Sequence, residues 1–325
     1  MSKFGNVLVT GGTGLLGSEL VKQLLESSDT RKVICLIRDF LPQSRFYSES
    51  LSKKVIVVRG DIRDQSLLER TLNEYEIQTV FHLAAQTLVG QANRQPTETF
   101  DVNIRGTWAL LEACRRIESV GPVVIASSDK AYGNLRGESY DESYPLHGDH
   151  PYDVSKSCTD LISQCYAKSY GMNICVTRCG NFFGPGDLNE SRLFPSVILS
   201  VLREQSPVIR SDGKFIRDYI YVADGAAAYR HLAEKMLSGK FSGEAFNFSY
   251  GLRLSVTDVV EKIVKQMNSN LKPTILNQAK NEIPVQCLNS EKAQRLLDWK
   301  PRFGFDEGID KTVEWYRKQF SSGLT

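Results

Sequence analysis

The 325-residue sequence predicts an α/β protein, a doubly wound parallel Rossmann sheet with a smaller C-terminal α/β lobe. Three observations favour this fold class. Short β-branched apolar runs alternate with amphipathic segments through the first half, a glycine-rich turn follows the first run, and Gly and Pro cluster just after Asn181, where the rhythm changes. We therefore expect a Rossmann domain over residues 1–180 and a second lobe over residues 181–325, with strand exchange between them possible.

The individual elements follow from the periodicity. Near-continuous apolar runs suit a parallel sheet covered on both faces, and they predict strands at 7–10, 33–37, 55–58, 80–84, 123–127 and 174–178. Helical periodicity predicts crossovers at 15–27, 66–75, 97–116 and 152–170. In the second lobe we expect a helix from Phe194, a short strand at 207–212, a helix from Asp224, a strand at 245–249, and helices to the end.

Composition excludes several classes of protein. The net charge is +2 with acidic and basic residues interleaved, so nothing indicates a nucleic-acid surface. No apolar run approaches the roughly 20 residues of a membrane span, and the N-terminus leads directly into a strand, without a signal-peptide pattern. Seven scattered cysteines without a CxxC pair predict reduced thiols, and the four histidines form no metal-site pattern. We expect a cytoplasmic protein with no metal, nucleic-acid or membrane partner.

A glycine-rich turn, VTGGTGLLG, follows the first strand and opens the first helix. Glycine allows positive φ and lets backbone N–H groups approach a pyrophosphate at the positive end of a helix. The strand–turn–helix context favours dinucleotide binding over a tight turn without a ligand. The expected cofactor contacts are Gly11, Thr13, Gly14, Leu15, Leu16 and Gly17, with Leu83, Ala84 and Ala85 after the fourth strand.

The end of the second strand bears on the choice of cofactor. An acidic residue there would bind the ribose 2′-OH of NAD, whereas Arg favours the 2′-phosphate of NADP. Ile37 occupies the position of the acid and Arg38 follows it, which favours NADP, while Asp39 leaves NAD possible. Asp61 and Ile62, after the third strand, are expected beside the adenine; the alternative is a plain turn.

Tyr152 and Lys156 lie four positions apart in PYDVSK, on one face of a predicted helix. A lysine ammonium and a positively charged nicotinamide would both lower the pKa of the phenol. The phenolate could then remove a hydroxyl proton while hydride leaves the same carbon. The alternative is a pair of side chains on a helix surface.

Several motifs occur in a recognisable order: TGGTGLLG, DIRD, FHLAAQ, NIRGT, Ser128, YDVSK, RCGNFFGPG, FIRDYIYVADGAAA and FNFSYG. Together they resemble the extended short-chain dehydrogenase/reductase family, over nearly the whole chain. The resemblance implies an NADP or NAD cofactor, tightly bound and recycled, and a nucleotide-diphosphate sugar as substrate. The family includes epimerases, 4,6-dehydratases, decarboxylases and reductases, so membership alone leaves the reaction open.

The stretch SSDK points to one of these reactions. In the family's plan Ser128 hydrogen-bonds the sugar 4-OH beside Tyr152, and nucleotide-sugar 4,6-dehydratases place an acid and a partner directly after it. SSDK, HLAAQTLVGQ and NESRLFP look most similar to CDP-glucose 4,6-dehydratases. The resemblance implies that Asp129 protonates the departing 6-OH and Lys130 removes the C5 proton. The alternative is a surface ion pair of Asp129 and Lys130.

The substrate contacts rest on the same resemblance. Asn181 and Arg217 match positions that hold the sugar diphosphate, and a planar guanidinium suits that task. Arg217 could instead pair with Asp218 or Asp224. Further positions are expected at the nucleobase end or near the sugar hydroxyls: Arg192, Leu193, Phe194, Gln86 and Arg94. The base stays open between CDP, GDP and UDP, and helices 97–116 and 152–170 suggest a homodimer or a dimer of dimers.

Two other functions compete with dehydration. A 4-epimerase or 4-keto-reductase would use Tyr152 and Lys156 and leave Asp129 and Lys130 without a chemical task. A non-catalytic dinucleotide sensor would have a broken Ser/Tyr/Lys set, but here the set is intact.

Overall fold

The computed structural model describes residues 2–134, 139–278 and 283–321. Its strands are β1 (Gly5–Thr10), β2 (Thr30–Ile37), β3 (Ile56–Arg59), β4 (Ile77–His82), β5 (Val123–Ala126), β6 (Ile174–Cys179), β7 (Asn181–Phe183), β8 (Val208–Ile209), β9 (Ile216–Arg217), β10 (Tyr219–Tyr221), β11 (Ala245–Phe248), β12 (Leu254–Ser255), β13 (Thr274–Ile275) and β14 (Val285–Gln286). Its helices are α1 (Leu15–Leu25), α2 (Arg45–Ser48), α3 (Gln65–Glu74), α4 (Val89–Arg94), α5 (Pro96–Phe100), α6 (Gly106–Arg115), α7 (Pro151–Tyr170), α8 (Leu193–Leu202), α9 (Val222–Met236), α10 (Val256–Gln266), α11 (Glu291–Leu297) and α12 (Phe305–Ser321).

Seven parallel strands form the main sheet, in the order β3-β2-β1-β4-β5-β6-β11. The first six positions follow the Rossmann order, which confirms the predicted fold class. A π turn at Asp101–Arg105 joins α5 to α6, so the predicted helix at 97–116 is one helical segment with a local irregularity. All parallel strands end at one edge, and the loops leaving that edge carry the candidate site.

Alternating side chains on β1 show how the sheet is covered on both faces. Val7 and Val9 belong to the core on one side, where α1 packs against α9. Leu8 belongs to the core on the other side, together with residues of α3 and α6. Burial on both faces explains why the strands are continuous apolar runs in the sequence.

The second lobe has its own core between α8, α10 and α12, around the stacked rings of Phe183 and Phe194. Short strands line it, among them the ladder β12-β9-β14. One expectation needs correction. The strand predicted at 245–249 in this lobe is β11, which instead pairs with β6 at the edge of the main sheet. The boundary at 180/181 stays a prediction.

Candidate active site

The glycine turn is shaped for a pyrophosphate. Gly11 has φ +75°, and a Cβ on Gly17 would lie 2.1 Å from the carbonyl oxygen of Gly11. Gly14 is the N-cap of α1 and offers no side-chain oxygen to the first helical N–H groups. A Cβ on Gly14 would come only within 3.4 Å of Gly11 O, so the turn is open where a phosphate would approach. The residues present therefore fit a dinucleotide, and Thr13, Leu15 and Leu16 lie in the same turn and first helical turn.

The strand ends around the predicted adenosine end carry paired charges. Arg38 is exposed and forms an ion pair with Asp39 at 2.7 Å. Asp61 accepts hydrogen bonds from Arg63, and this arginine lowers the pKa of the Asp61 carboxyl. Ile62 is buried in the core against α6.

A buried threonine holds the loop after β4. Thr10 Oγ1 accepts hydrogen bonds from the backbone N–H groups of Leu83 and Ala84, both at 3.2 Å. The same hydroxyl bonds His82 Nδ1 at 2.8 Å. Burial lowers the pKa of His82 to about 3, so its ring is neutral. His82 is thus a packed residue, and Thr10 fixes the loop that continues to Ala85.

Tyr152 and Lys156 lie on the first turns of α7, and both are buried. Lys156 Nζ donates to the carbonyl oxygen of Ala126 at 2.8 Å, and burial lowers the pKa of this lysine to about 8. Burial raises the pKa of Tyr152, and its interaction with Ser128 acts in the opposite direction. Among the groups of the protein, desolvation outweighs this hydrogen bond, and the expected lowering of the phenol pKa beside a cationic nicotinamide stays a prediction.

Ser128, Asp129 and Lys130 lie at the start of a 3₁₀ turn, Asp129–Tyr132, directly after β5. Asp129 is 3% exposed, and its Oδ1 accepts a hydrogen bond from Ser128 Oγ at 3.0 Å. Burial raises the pKa of the Asp129 carboxyl, and the Lys130 charge opposes this shift. Lys130 is half-buried, and its Nζ donates to Gln286 Oε1 at 2.7 Å. A surface ion pair is therefore the wrong interpretation of these two residues.

A buried polar network connects this turn to β6, α7 and β11. Arg178 on β6 forms a bidentate ion pair with Asp160 on α7, at 2.7 and 3.1 Å. Arg178 Nη1 also donates to Tyr132 Oη at 2.9 Å, and Tyr132 in turn donates to Asn247 Oδ1 on β11. The network ties together the elements that carry Tyr152 and Asp129.

The predicted diphosphate contacts lie on two adjacent short ladders. Asn181 begins β7, and its Nδ2 donates to the carbonyl oxygen of Asp218. Arg217 on β9 is buried, and its Nη1 donates to the carbonyl oxygens of Ile216 and Ile283. Arg217 is paired in the β9–β14 ladder with Gln286, whose side chain accepts the hydrogen bond from Lys130, so its strand lies beside the candidate catalytic turn.

Asp218 and Asp224, the possible structural partners of Arg217, have other partners. Asp218 accepts hydrogen bonds from Ser249 and from the backbone of residues 219, 252 and 288. Asp224 accepts from Tyr250 and from the backbone of residues 302 and 303. Both acids therefore hold loops of the second lobe.

The remaining predicted positions are more dispersed. Arg192 is the N-cap residue of α8 and forms an ion pair with Asp187 at 3.2 Å. Leu193 is the first residue of α8, and Phe194 is buried in the lobe core. Gln86 is held through its backbone N–H by Asn103 Oδ1 at 2.7 Å. Arg94 is exposed at the end of α4.

Three residues that contact the candidate site residues or the loops around them were not predicted from the sequence: Thr10, Arg178 and Gln286. An arginine inside an apolar strand, as in ICVTRC, was a usable signal, because a buried charge needs a partner. Gln286 had no such signal, since its contact with Lys130 spans 156 positions.

Within the described residues, no group of three or more His, Cys, Asp or Glu side chains is placed to hold a metal ion. None of the helices in the described ranges is long and apolar enough to cross a bilayer.

A family model described as GDP-mannose 4,6 dehydratase matches residues 8–312. The chain belongs to this family. CDP-glucose 4,6-dehydratase of Salmonella typhimurium is 32% identical over 328 residues, covering 96% of this chain and 90% of that protein. Among solved structures, UDP-glucose 4-epimerase of Thermotoga maritima has a TM-score of 0.88 at 28% identity, covering 97% of this chain and 99% of that one. The dTDP-glucose 4,6-dehydratase of Streptomyces venezuelae, solved with NAD, has a TM-score of 0.86 at 28% identity, covering 98% and 100%. The predicted family is confirmed.

Proposed function

We propose that this protein is a nucleotide-diphosphate-hexose 4,6-dehydratase, a hydro-lyase that depends on NADP or NAD. One observation supports dehydration above the family's other reactions: Asp129 is buried, and its Oδ1 accepts a hydrogen bond from Ser128, the residue whose hydroxyl also interacts with the Tyr152 phenol. An acid in such a place costs desolvation energy, and a reaction that needs a proton donor there explains it.

The first step is oxidation at C4 of the hexose. Tyr152 removes the proton of the 4-OH, with the Ser128 hydroxyl beside the phenol and Lys156 fixed against Ala126 O. The nicotinamide cofactor, held by the glycine turn, would accept the C4 hydride and later give it back. The resulting C4 ketone makes the C5 hydrogen acidic.

Elimination follows at C5 and C6. Lys130, as the neutral amine, takes the C5 proton, and the electron pair of that C–H bond forms the C5–C6 double bond. Asp129 protonates the 6-OH, which leaves as water; burial raises the pKa of this carboxyl and so favours its acid form. Hydride returns to C6 and a proton to C5, giving the 4-keto-6-deoxyhexose.

A 4-epimerase is the second candidate, because the TM-score to the epimerase of Thermotoga maritima, 0.88, is close to the TM-score of 0.86 to the dehydratase of Streptomyces venezuelae. Incubation with CDP-, GDP- and UDP-hexoses separates the two, since only dehydration lowers the product mass by one water. CDP-hexose is the first choice, on the similarity to the Salmonella enzyme. Epimerised product of unchanged mass would contradict the proposal.

Two variants connect the reaction to the residues. Asp129→Asn and Lys130→Met should each lower water loss about 10²- to 10⁴-fold, the usual contribution of general acid–base groups. Lys130→Met should also remove solvent-deuterium incorporation at C5. Glu190→Gln, in an exposed ion pair with Arg203, is the control and should leave the rate unchanged. Full dehydration by both site variants would contradict their roles.

For the cofactor we propose NADP, tightly bound and recycled within each turnover. The support is local: β2 ends at Ile37 rather than at an acid, and the next residue, Arg38, is an exposed cation of the kind that binds a 2′-phosphate, although it is paired with Asp39 in this structure. Binding titrations of the cofactor-free protein with NADP and NAD test this. Arg38→Ala should weaken NADP and spare NAD, and tighter binding of NAD by the wild type would overturn the preference.

We also propose a homodimer formed through α6 and α7. Trp108, Leu161 and Tyr170 are large apolar side chains exposed on these helices, and a two-fold axis would bury them. Sedimentation measurements should give a dimer, or a dimer of dimers, and Leu161→Glu should shift it to monomer. A monomeric wild type at micromolar concentration would contradict this.

The unpaired cysteines, mostly buried, agree with a reducing cytoplasm.

A further inference from the structure

Gln286 connects the second lobe to the candidate catalytic turn. It is 0% exposed and lies on β14, beside Arg217 in the parallel ladder with β9. Its Oε1 accepts the hydrogen bond from Lys130 Nζ at 2.7 Å. β9, which carries the predicted diphosphate ligand Arg217, is therefore paired with β14, whose Gln286 accepts the hydrogen bond from the predicted base Lys130.

Packing alone does not explain a glutamine here. Its Nε2 is buried and has no hydrogen-bond partner among the described residues, and the same holds for Asp129 Oδ2. A buried donor without a partner costs about 1–3 kcal/mol, which an apolar side chain of the same length would avoid. Two such atoms beside one lysine indicate groups arranged for a ligand rather than for the core.

We propose that Gln286 is a positioning residue that holds the Lys130 amine toward C5 of the sugar and offers Nε2 to a sugar oxygen. This inference rests on the proposed dehydration. One N–H of the amine is directed to Oε1, so the orientation of the remaining valences is restricted. A neutral amide achieves this without the negative charge that would keep the lysine protonated.

The neutral charge of the Gln286 amide matters because charged side chains already surround Lys130. Lys130 interacts with the carboxyl groups of Asp129 and Asp153: burial raises the pKa of each acid, and the lysine charge opposes that shift. His150 lies 3.4 Å from Asp153, and the Arg217 charge acts on Asp129. An additional carboxylate at position 286 would favour the ammonium form still further.

The test compares Gln286→Met, which removes the acceptor at equal length, with Gln286→Glu, which keeps it and adds a charge. Gln266→Met is the matched control, because Gln266 also has one buried amide atom without a partner among the described residues but lies on α10. Chemical quench after a single turnover separates C4-oxidised sugar from the water-loss product. We expect Gln286→Met to slow water loss and C5 deuterium exchange about 10- to 100-fold.

The partition of products distinguishes positioning from damage to the fold. In Gln286→Met the C4-oxidised sugar should accumulate, because Tyr152 still acts. Gln286→Glu should be slow at neutral pH and recover as the pH rises. Equal rates for Gln286→Met and Gln266→Met, or equal slowing of C4 oxidation and water loss, would overturn the inference.

A substrate-free measurement separates this inference from the proposed function. Competitive acetylation of lysines, read by mass spectrometry against the exposed Lys54, should label Lys130 faster in Gln286→Met and slower in Gln286→Glu than in the wild type. If labelling responds in this way but none of the nucleotide sugars loses water, the contact between Gln286 and Lys130 is supported and the proposed dehydration is contradicted. If the wild type dehydrates its substrate but labelling and partition do not respond, the inference alone is wrong.

Discussion

The buried ion pair of Arg178 and Asp160 should be a main anchor of the site. Their side chains are 3% and 0% exposed, and two hydrogen bonds join them. Removal of one partner leaves a buried charge uncompensated, which costs about 3–5 kcal/mol. We therefore expect Asp160→Leu and Arg178→Met each to lower the free energy of unfolding by that amount.

The double variant is the informative one. Asp160→Leu with Arg178→Met removes both charges, so most of the loss should be regained, to within about 1–2 kcal/mol of the wild type. The free energy of unfolding of each variant is measured by urea titration, and the variants are comparable if its dependence on urea concentration has the same slope in all of them. The control, Glu190→Ala in the exposed pair with Arg203, should change stability by less than about 1 kcal/mol. Losses in the double variant that equal the sum of the two single losses would refute the reasoning.

Three further predictions follow from local geometry. Gly17→Ala should abolish dinucleotide binding in calorimetric titration, because its Cβ would meet Gly11 O, whereas Gly304→Ala, with nothing within 4 Å, should bind normally. Burial lowers the pKa of Lys156 from 10.5 to about 8, so the folded state holds this proton less tightly than the unfolded chain; the cost to stability is complete below pH 8 and disappears as the pH rises from about 8 to 10.5. Lys156→Met should thus gain stability relative to wild type by about 3 kcal/mol more at pH 7 than at pH 11, and a difference independent of pH would contradict this. Ser255→Ala removes the N-cap of α10 and should cost about 1 kcal/mol in thermal unfolding, with no loss of activity.

The main sheet could be predicted because parallel strands buried on both faces have a distinctive composition. The errors are at places where that rule fails locally. β4 begins at Ile77 rather than at 80, since Gln78 and Thr79 look like loop residues. Thr79 is nonetheless buried, and its hydroxyl donates to Phe4 O at 2.9 Å. A polar residue with a partner in another element can continue a strand, and sequence alone does not show that partner.

The assignment of β11 illustrates a different limit. AFNFS reads as a strand, and it is one, but its position in the chain suggested the second lobe. Which sheet a strand joins depends on the path of the chain before it: α9 packs on α1 and so brings residues 245–248 back beside β6. Local pattern predicts the element, whereas topology decides its partner.

The residues of the candidate site fall into the same two groups, those set by a local pattern and those set by the topology. The glycine turn, SSDK and YDVSK are each one short continuous motif, and each could be predicted because the spacing within the motif sets its geometry. Gln286 and Arg178 act through contacts with residues far away in sequence. Arg178 at least stands out as a charge inside an apolar strand, whereas nothing in the sequence distinguishes Gln286, and in both cases the partner is identified only by the fold.

Burial at this site disfavours charge on several groups at once. It raises the pKa of Tyr152 and of Asp129 and lowers the pKa of Lys156. A neutral phenol is a poor base, so the protein by itself does not prepare Tyr152 to remove a proton. In the proposed reaction, a bound oxidised nicotinamide beside Tyr152 would supply positive charge that favours the phenolate. Because the same low dielectric that opposes the phenolate would also strengthen that attraction, we expect proton removal to depend on a bound, oxidised cofactor. For an enzyme that must return its hydride before releasing product, this dependence couples each C4 oxidation to a completed previous cycle.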